Sequence, residues 1–540
     1  MNCPRFSIVI PTRNRADLLP GAVRSALGQT CRDLEIVISD NRSDDNTAEV
    51  VGRFDDRRLR YVRTRSALLM HHSWRFALRH ARGAYVGFLC DDDALHPDAI
   101  ACADTIIRRT GADVVVWRSC SYGLPDWPDA RIRGWIRFGP PYSARAWEID
   151  GGRLVDLAYD LRVTFSELVP KMLNGVVSRA LIARIRADGT ELFHPSSPDY
   201  SAMLVLAANA RRIVLLDAPL LVAGATARSI GASTLRGYDS ARAYGAQLCA
   251  REPDLVVPAA VGPRIAWLAQ TYMQCARDVP CLRERAVNPI HLYGLSGREL
   301  NRAEEAGIDA GDSRARHEAA LEGPLADDRA AIEAFARGNV EIESETFLAG
   351  TVGSESGLAA EPFILNDIDL EGTKPAGAHE VAADLDRLRQ AGALGLSAFW
   401  KAVFERAASR RVILYGLGRN GRALLRASRD LRPEIACCDD HAQLDDALGV
   451  PKTDCAELDP AAHYVCVTMN DAAPVAGSLA TRGFARGRDW STMREISAMA
   501  ARGTSVSAGV QYGRRARVGS RHDRMVLKAA QTRETSSAES

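Results

Sequence analysis

Between residues 6 and 118, short apolar runs alternate with segments of helical period, and this pattern constrains the fold more than any other feature of the chain. Ser7–Ile10, Leu34–Ile38, Leu59–Val62, Ala84–Leu89 and Asp113–Trp117 read as strands. Their apolar runs are nearly continuous rather than alternating, as expected of strands buried on both faces. Helices are predicted between them, over Ala16–Leu27, Thr47–Phe54, Ser73–Ala81 and Pro97–Arg109. Leu18, Leu19, Ala22, Val23, Ala26 and Leu27 mark one helical face. Strands alternating with helices predict a mostly parallel sheet covered by helices on both sides.

A chain of 540 residues is too long for one core, which stops growing at roughly 250–300 residues. The pattern divides it into an α/β domain over 1–235, a helical region over 236–348, a linker and lead-in helix over 349–395, and a second α/β unit over 396–498. In the helical region Ile265, Leu268, Tyr272 and Cys275 share a face. The lead-in helix is expected from about Val381 to Ala408. A Ser-, Arg- and Thr-rich tail over 499–540 reads as disordered.

The formal net charge of +1 points to no nucleic-acid partner. No apolar run reaches the roughly 20 residues that span a bilayer. The N-terminus enters a strand with no signal-peptide pattern, and the 12 cysteines are scattered without a Cys-x-x-Cys pair. A cytoplasmic protein is the expectation. Peripheral membrane contact stays open, and the oligomeric state is not legible.

Three polar clusters follow strands: Pro11-Thr12-Arg13-Asn14, Asp40-Asn41-Arg42-Ser43 and Asp91-Asp92-Asp93. In a parallel sheet such clusters converge on the carboxyl rim, where open α/β sheets bind ligands. Neighbouring carboxylates raise one another's pKa unless a cation neutralises them. Hard oxygen ligands suit Mg²⁺ or Mn²⁺, which would bridge to a diphosphate.

These stretches, Phe6–Arg15, Ile38–Thr47 and Gly83–Asp93, resemble family 2 glycosyltransferases, inverting enzymes of the GT-A fold, in order and in spacing. The resemblance covers about the first 120 residues. It implies an inverting transfer of a sugar from a nucleoside-diphosphate donor, a UDP-sugar by preference, to a glycan, lipid-linked or protein acceptor. It further implies that Pro11, Thr12, Asn14, Asp40, Asn41, Asp91 and Asp92 line the donor pocket, and that Asp91 and Asp93 hold the metal. The family usually supplies its base as an acidic pair that opens a helix; Ser197-Pro198-Asp199-Tyr200 is similar, with Pro198 in place of the first acidic residue. Asp199 is therefore the expected catalytic base, with helix capping as its ordinary alternative and Glu167 and Glu191 as substitutes. His71, His72 and Trp74 are weaker donor-side candidates. Trp117, Trp127, Trp135 and Trp147 could stack against sugar or fill the core.

The second unit carries Gly416-Leu417-Gly418-Arg419-Asn420-Gly421 between a strand (Val412–Tyr415) and a helix, with Asp439 ending the next strand. This is the Gly-x-Gly-x-x-Gly turn of a Rossmann-like nucleotide site. Gly416, Gly418, Gly421 and Asp439 would form a second nucleotide site whose ligand is unknown. An NAD(P)-dependent sugar-nucleotide oxidoreductase is one alternative function. A degenerate nucleotide-sugar-binding module is another.

Overall fold

A computed structural model describes residues 3–127, 133–139, 141–229, 239–251, 263–305, 310–337, 347–352, 363–364, 368–369, 377–383, 394–416, 419–428, 434–438, 450–469 and 472–502. In the N-terminal part the strands are β1 (Phe6–Thr12), β2 (Leu34–Asp40), β3 (Leu59–Arg63), β4 (Tyr85–Phe88), β5 (Ala94–Leu95) and β6 (Val114–Gly123). They are followed by β7 (Trp135–Arg137), β8 (Ala146–Ile149), β9 (Gly175–Ser178), β10 (Ile213–Ala225) and β11 (Leu348–Thr351). The main sheet runs β11-β8-β10-β6-β9-β4-β1-β2-β3. Strands β1 to β4 pair in parallel, as do β6 and β10. β9 is antiparallel to both β4 and β6, and β8 and β11 are antiparallel as well. The sheet is thus parallel-rich and mixed.

Helices α1 (Leu19–Leu27), α2 (Thr47–Gly52), α3 (Met70–His80), α4 (Ala99–Thr110), α5 (Gly151–Tyr159), α6 (Arg179–Ala187) and α7 (Pro198–Asn209) connect and cover these strands. Two apolar cores follow from this layering. One lies against α1 and α4 and includes Ile8, Ile10, Leu19, Val23, Ile106 and Trp117. The other gathers Val9, Trp74, Phe88, Leu154, Leu204 and Trp147. Successive residues of β1 therefore face opposite cores, which is why its apolar run is continuous.

Several expectations shift. α1 starts at Leu19 rather than Ala16, with Pro20 in its first turn, the position where a missing N–H costs least. α3 starts at Met70, so His71 and His72 lie inside the helix rather than ahead of it. Residues 119–160, which show no clear period, extend β6 and supply β7, β8 and α5. Trp117, Trp127 and Trp147 are buried, which makes them core rather than a stacking surface, while Trp135 is half-buried. Part of the stretch read as a linker adds strands to the main sheet: β11 pairs with β8, and Ile368–Asp369 pair with β7.

The helical region includes Pro263–Asp278 and Pro289–Glu305. Ile265, Leu268, Tyr272 and Cys275 are buried together in the core shared with α7, as their spacing requires. Of the predicted lead-in helix, residues 381–383 and Leu396–Ala407 are helical, residues 384–393 lie outside the described residues, and a short strand at Leu394–Gly395 interrupts it. Gly395 caps it, and a glycine costs about 1 kcal/mol inside a helix.

The C-terminal unit is a parallel sheet in the order Ile435–Cys438, Arg411–Tyr415, His463–Val467, Trp490–Thr492. The helix Arg419–Ala427 follows its glycine turn. Its last helix, Met493–Arg502, runs into the segment read as tail; residues 503–540 lie outside the described residues.

The two α/β units meet through buried charge. Asp217 of β10 accepts from Arg118 Nη1 at 2.8 Å, from the Ser143 N–H at 3.0 Å and from Arg426 Nε at 3.4 Å. Arg426 belongs to the helix Arg419–Ala427. Arg118 also donates to Glu167 at 2.9 Å. Asp217 and the Arg118 side chain are fully buried. Burial pushes the Asp217 carboxyl up, but the Arg426 and Arg118 guanidiniums outweigh it and hold the pKa at about 2. A depressed carboxyl stabilises the fold above its ordinary value of 3.8, and that stability is lost as the pH falls toward 2. Asp217→Asn should therefore cost about 3–5 kcal/mol at pH 7. The gap from wild type should narrow by pH 3, measured as urea midpoints at both pH values.

Candidate active site

The carboxyl rim of β1, β2 and β4 draws the three polar clusters together. The Thr12 hydroxyl donates to Asp91 Oδ2 at 2.7 Å. Arg15 Nη1 donates to Asp91 Oδ1 at 2.9 Å and to Asp92 Oδ2 at 3.1 Å. Asn14 joins the first cluster to the second: its N–H donates to Ser43 Oγ at 3.0 Å, and its Oδ1 accepts from the Asp44 N–H at 2.8 Å. Asn14 (φ 54°) and Arg42 (φ 56°) both adopt left-handed backbone. Asparagine tolerates that region; an arginine there is strained, and such strain collects at functional sites.

Asp40, at the end of β2, is held from several sides. It is fully buried, accepts from the Ser43 N–H at 2.7 Å and from the Tyr61 hydroxyl, and lies 3.3 Å from Arg63 Nε. It thereby shapes the turn at Asn41–Ser43 instead of presenting a carboxylate at the surface. Asn41 ties that turn to the next loop, donating to Leu68 O at 2.9 Å and accepting from the Leu68 N–H at 2.8 Å.

All three aspartates of the triplet are more than nine-tenths buried. Burial raises the Asp91 carboxyl to about 6, with Arg15 opposing and Asp92 reinforcing the shift. Burial also raises Asp93 well above its ordinary range, and Asp92 adds to it. The end of β10, the longest of the described strands, also supports the triplet. The Gly224 N–H donates to Asp93 Oδ1 at 2.9 Å, and Ser229 Oγ donates to Asp92 Oδ2 at 2.7 Å. Among the described residues the group able to surround a cation is Cys90, Asp92 and Asp93, whose ligand atoms lie within 4.8 Å of one another. Asp92 and Asp93 belong to this group, while Asp91 is bonded to Thr12 and Arg15.

Asp199 sits in the first turn of α7, whose cap residue is Ser197, with no side-chain cap bond. Burial raises its pKa, and Lys171 lowers it in part. Of the two substitutes, Glu167 is bonded to Arg118, and Glu191 lies 3.8 Å from Arg75 and from Arg186. His71 is buried and held neutral: burial first, then His72 and Arg75, lower its pKa to about 3. Trp74 packs against Phe88 and Phe193 as core.

Arg15, Cys90, Lys171, Gly224 and Ser229 were not picked out in the sequence. Arg15 lies within the first motif, and its guanidinium bonds to Asp91 and Asp92. Gly224 and Ser229 lie more than 130 residues from the triplet, and nothing local marks them. In the C-terminal unit, Gly416 (φ 92°) makes the tight turn. A Cβ on Gly421 would strike the Gly416 carbonyl oxygen, so these two glycines let the helix close on the strand. Gly418 and Asp439 lie outside the described residues. A cavity of about 190 Å³ lined by Asn420, Thr468 and Arg486 opens at the carboxyl ends of these strands.

Residues 7–167 match the family model described as Glycosyl transferase family 2. This part of the chain is a family 2 glycosyltransferase domain. A GalNAc(5)-diNAcBac-PP-undecaprenol beta-1,3-glucosyltransferase of Campylobacter jejuni is 37% identical over 101 residues, 18% of this chain and 33% of the relative. A chondroitin synthase of Pasteurella multocida is 38% identical over 191 residues, 31% of this chain and 19% of the relative. The chain therefore spans a third or less of the length of these two relatives. The crystal structure of S. aureus TarS 1-349 aligns with 59% of this chain and 92% of its own, at 19% identity and a TM-score of 0.34. No helix among the described residues is long and apolar enough to cross a membrane.

A Cβ on Gly224 would collide with the Asp92 carbonyl oxygen. Gly224→Ala should therefore displace the triplet and destabilise the fold by about 1–3 kcal/mol, read as a lowered thermal midpoint.

Proposed function

We propose that the chain is an inverting glycosyltransferase that moves a sugar from a nucleoside-diphosphate donor, a UDP-sugar by preference, to a glycan, lipid-linked or protein acceptor. The observation that carries this reading is the convergence of Thr12, Arg15 and Asp91–Asp93 on one strand-end rim within the family 2 domain. A relative acting on an undecaprenol-linked substrate and a polysaccharide synthase support the acceptor classes.

The donor set fits a divalent cation. Asp92 and Asp93 offer hard oxygens beside the Cys90 thiol, and crowded buried carboxylates are relieved by positive charge. Mn²⁺ or Mg²⁺ held there would offset the charge of the donor diphosphate and of the leaving group. The remaining work falls to side chains. Thr12 and Arg15 fix Asp91, and the Gly224 N–H fixes Asp93, so the rim is organised before the donor arrives. Asp199 takes the proton from the acceptor hydroxyl as that oxygen bonds to the anomeric carbon. The bond from the anomeric carbon to the diphosphate oxygen breaks, and its electron pair leaves with the nucleoside diphosphate. An environment that raises a carboxyl's pKa strengthens it as a base while it stays ionised. A separate nucleotide site at Gly416, Gly418, Gly421 and Asp439 is supported by the cavity beside Asn420 and Thr468.

A thermal-shift panel of nucleoside diphosphates and nucleotide sugars, with and without Mn²⁺, tests the donor site. A ligand at 100 times its dissociation constant adds about 2.7 kcal/mol. UDP should raise the wild-type midpoint only with Mn²⁺, and Asp93→Ala should abolish both this shift and sugar transfer. A wild type that no nucleoside diphosphate stabilises would sink the reading. Asp199→Asn should keep the UDP shift while transfer falls by about 10²–10⁴-fold, the contribution of a general base.

A further inference from the structure

The loop between α5 and β9 lies between the two halves of the proposed site. At one end the Phe88 N–H, at the close of β4, donates to Met172 O at 3.0 Å, just ahead of the aspartate triplet. At the other, the Phe165 ring meets the Tyr200 ring edge-on at 5.9 Å, and Lys171 Nζ stands 5.4 Å from the centre of the same ring. Tyr200 follows Asp199 directly in α7. The loop is strained: Leu161 (φ 53°), Phe165 (φ 55°) and Met172 (φ 65°) all hold left-handed backbone without being glycine. Each such residue is strained and persists only when its surroundings over-determine it.

Leu161, Val163, Leu168, Val169 and Met172 anchor this loop in the core, and Glu167 is its charged anchor. Its carboxylate accepts from Arg118 Nε at 3.1 Å and Nη2 at 2.9 Å, and its carbonyl accepts from Asn174 Nδ2 at 2.8 Å. Arg118 in turn donates to Asp217, which accepts from Arg426 of the C-terminal unit. Among the described residues, two guanidiniums and two carboxylates thus meet in a largely buried cluster, with Arg426 also 5.9 Å above the Trp147 ring. Removing one guanidinium leaves the others with unmatched charge and nowhere to rehydrate. The Arg118–Glu167 geometry is then free to relax, and the loop with it.

We propose that Arg426 is a positioning residue for the transfer site: through Asp217, Arg118 and Glu167 it fixes loop 161–173, which sets the aspartate triplet against Asp199. The inference rests on the reading of Asp199 and the triplet given above. It gives the C-terminal unit a role in the transfer site whether or not its glycine turn holds a ligand.

Hydrogen exchange on the full-length chain tests it, comparing wild type with Arg426→Met and Arg426→Lys. In Arg426→Met, peptides covering 161–173 should exchange about tenfold faster, while those covering 6–40 keep their wild-type rates. Arg426→Lys, which keeps the charge, should recover part of the protection. UDP release from the donor selected by the melt panel should show kcat lowered with donor KM unchanged in Arg426→Met. Unchanged exchange at 161–173, or a rise equal to that at 6–40, overturns the proposal, the second because Arg426 would then only stabilise the fold. If Arg426→Met does not fold, the same comparison is made on Arg426→Lys, where unchanged exchange at 161–173 again overturns it. Failure of the underlying reading is seen separately, as a wild type that no nucleoside diphosphate with Mn²⁺ stabilises.

Discussion

Three consecutive aspartates buried at the end of one strand are the constraint around which the N-terminal domain is arranged. Carboxylates that close repel one another and lose their water, so each must be met by a donor or a cation. The chain meets them from three directions. Thr12 and Arg15 come from the end of β1, Gly224 from the end of β10, and Ser229 from just beyond it. This is why β10 runs on to Ala225, well past its apolar start at Ile213–Leu216. A strand that stopped at Leu216 would leave Asp93 without its backbone donor.

A second buried charge cluster joins the C-terminal unit to the same domain. Asp217 lies on the strand that also carries Gly224, so one element serves both clusters. The cost of desolvating Arg118, Asp217 and Arg426 is recovered only when all are present with their partners in place. Buried charge of this kind fixes one arrangement of two units more stringently than apolar contact does, because apolar faces accept slippage and paired charges do not.

The fold class was legible because it rests on local pattern. Continuous apolar runs such as Ile36–Ile38 belong in a parallel sheet, and helical stripes such as Leu19–Ala26 cover it. The rim was legible for the same reason: parallel strands bring their carboxyl ends to one side, so Thr12, Asn14 and Asp91 had to meet. Strand boundaries were less so. The extension of β6 and β10 and the pairing of Leu348–Thr351 with β8 depend on partners far along the chain, which no local period encodes.

By itself, then, the sequence determined the layered α/β plan, the clustering of Asp40, Asn41 and the triplet at one rim, and the glycine turn at Gly416, since each follows from short-range periodicity or from backbone freedom. Tertiary structure decided what each carboxylate meets. Asp40 turned inward to Tyr61 and Ser43, Asp91 to Thr12 and Arg15, and Asp92 and Asp93 were left grouped with Cys90. It also decided that Arg426 should lie against Asp217, 209 residues away. The reason is physical: a carboxylate's role depends on the charge and water around it, and those are set by residues brought together only when the chain has closed.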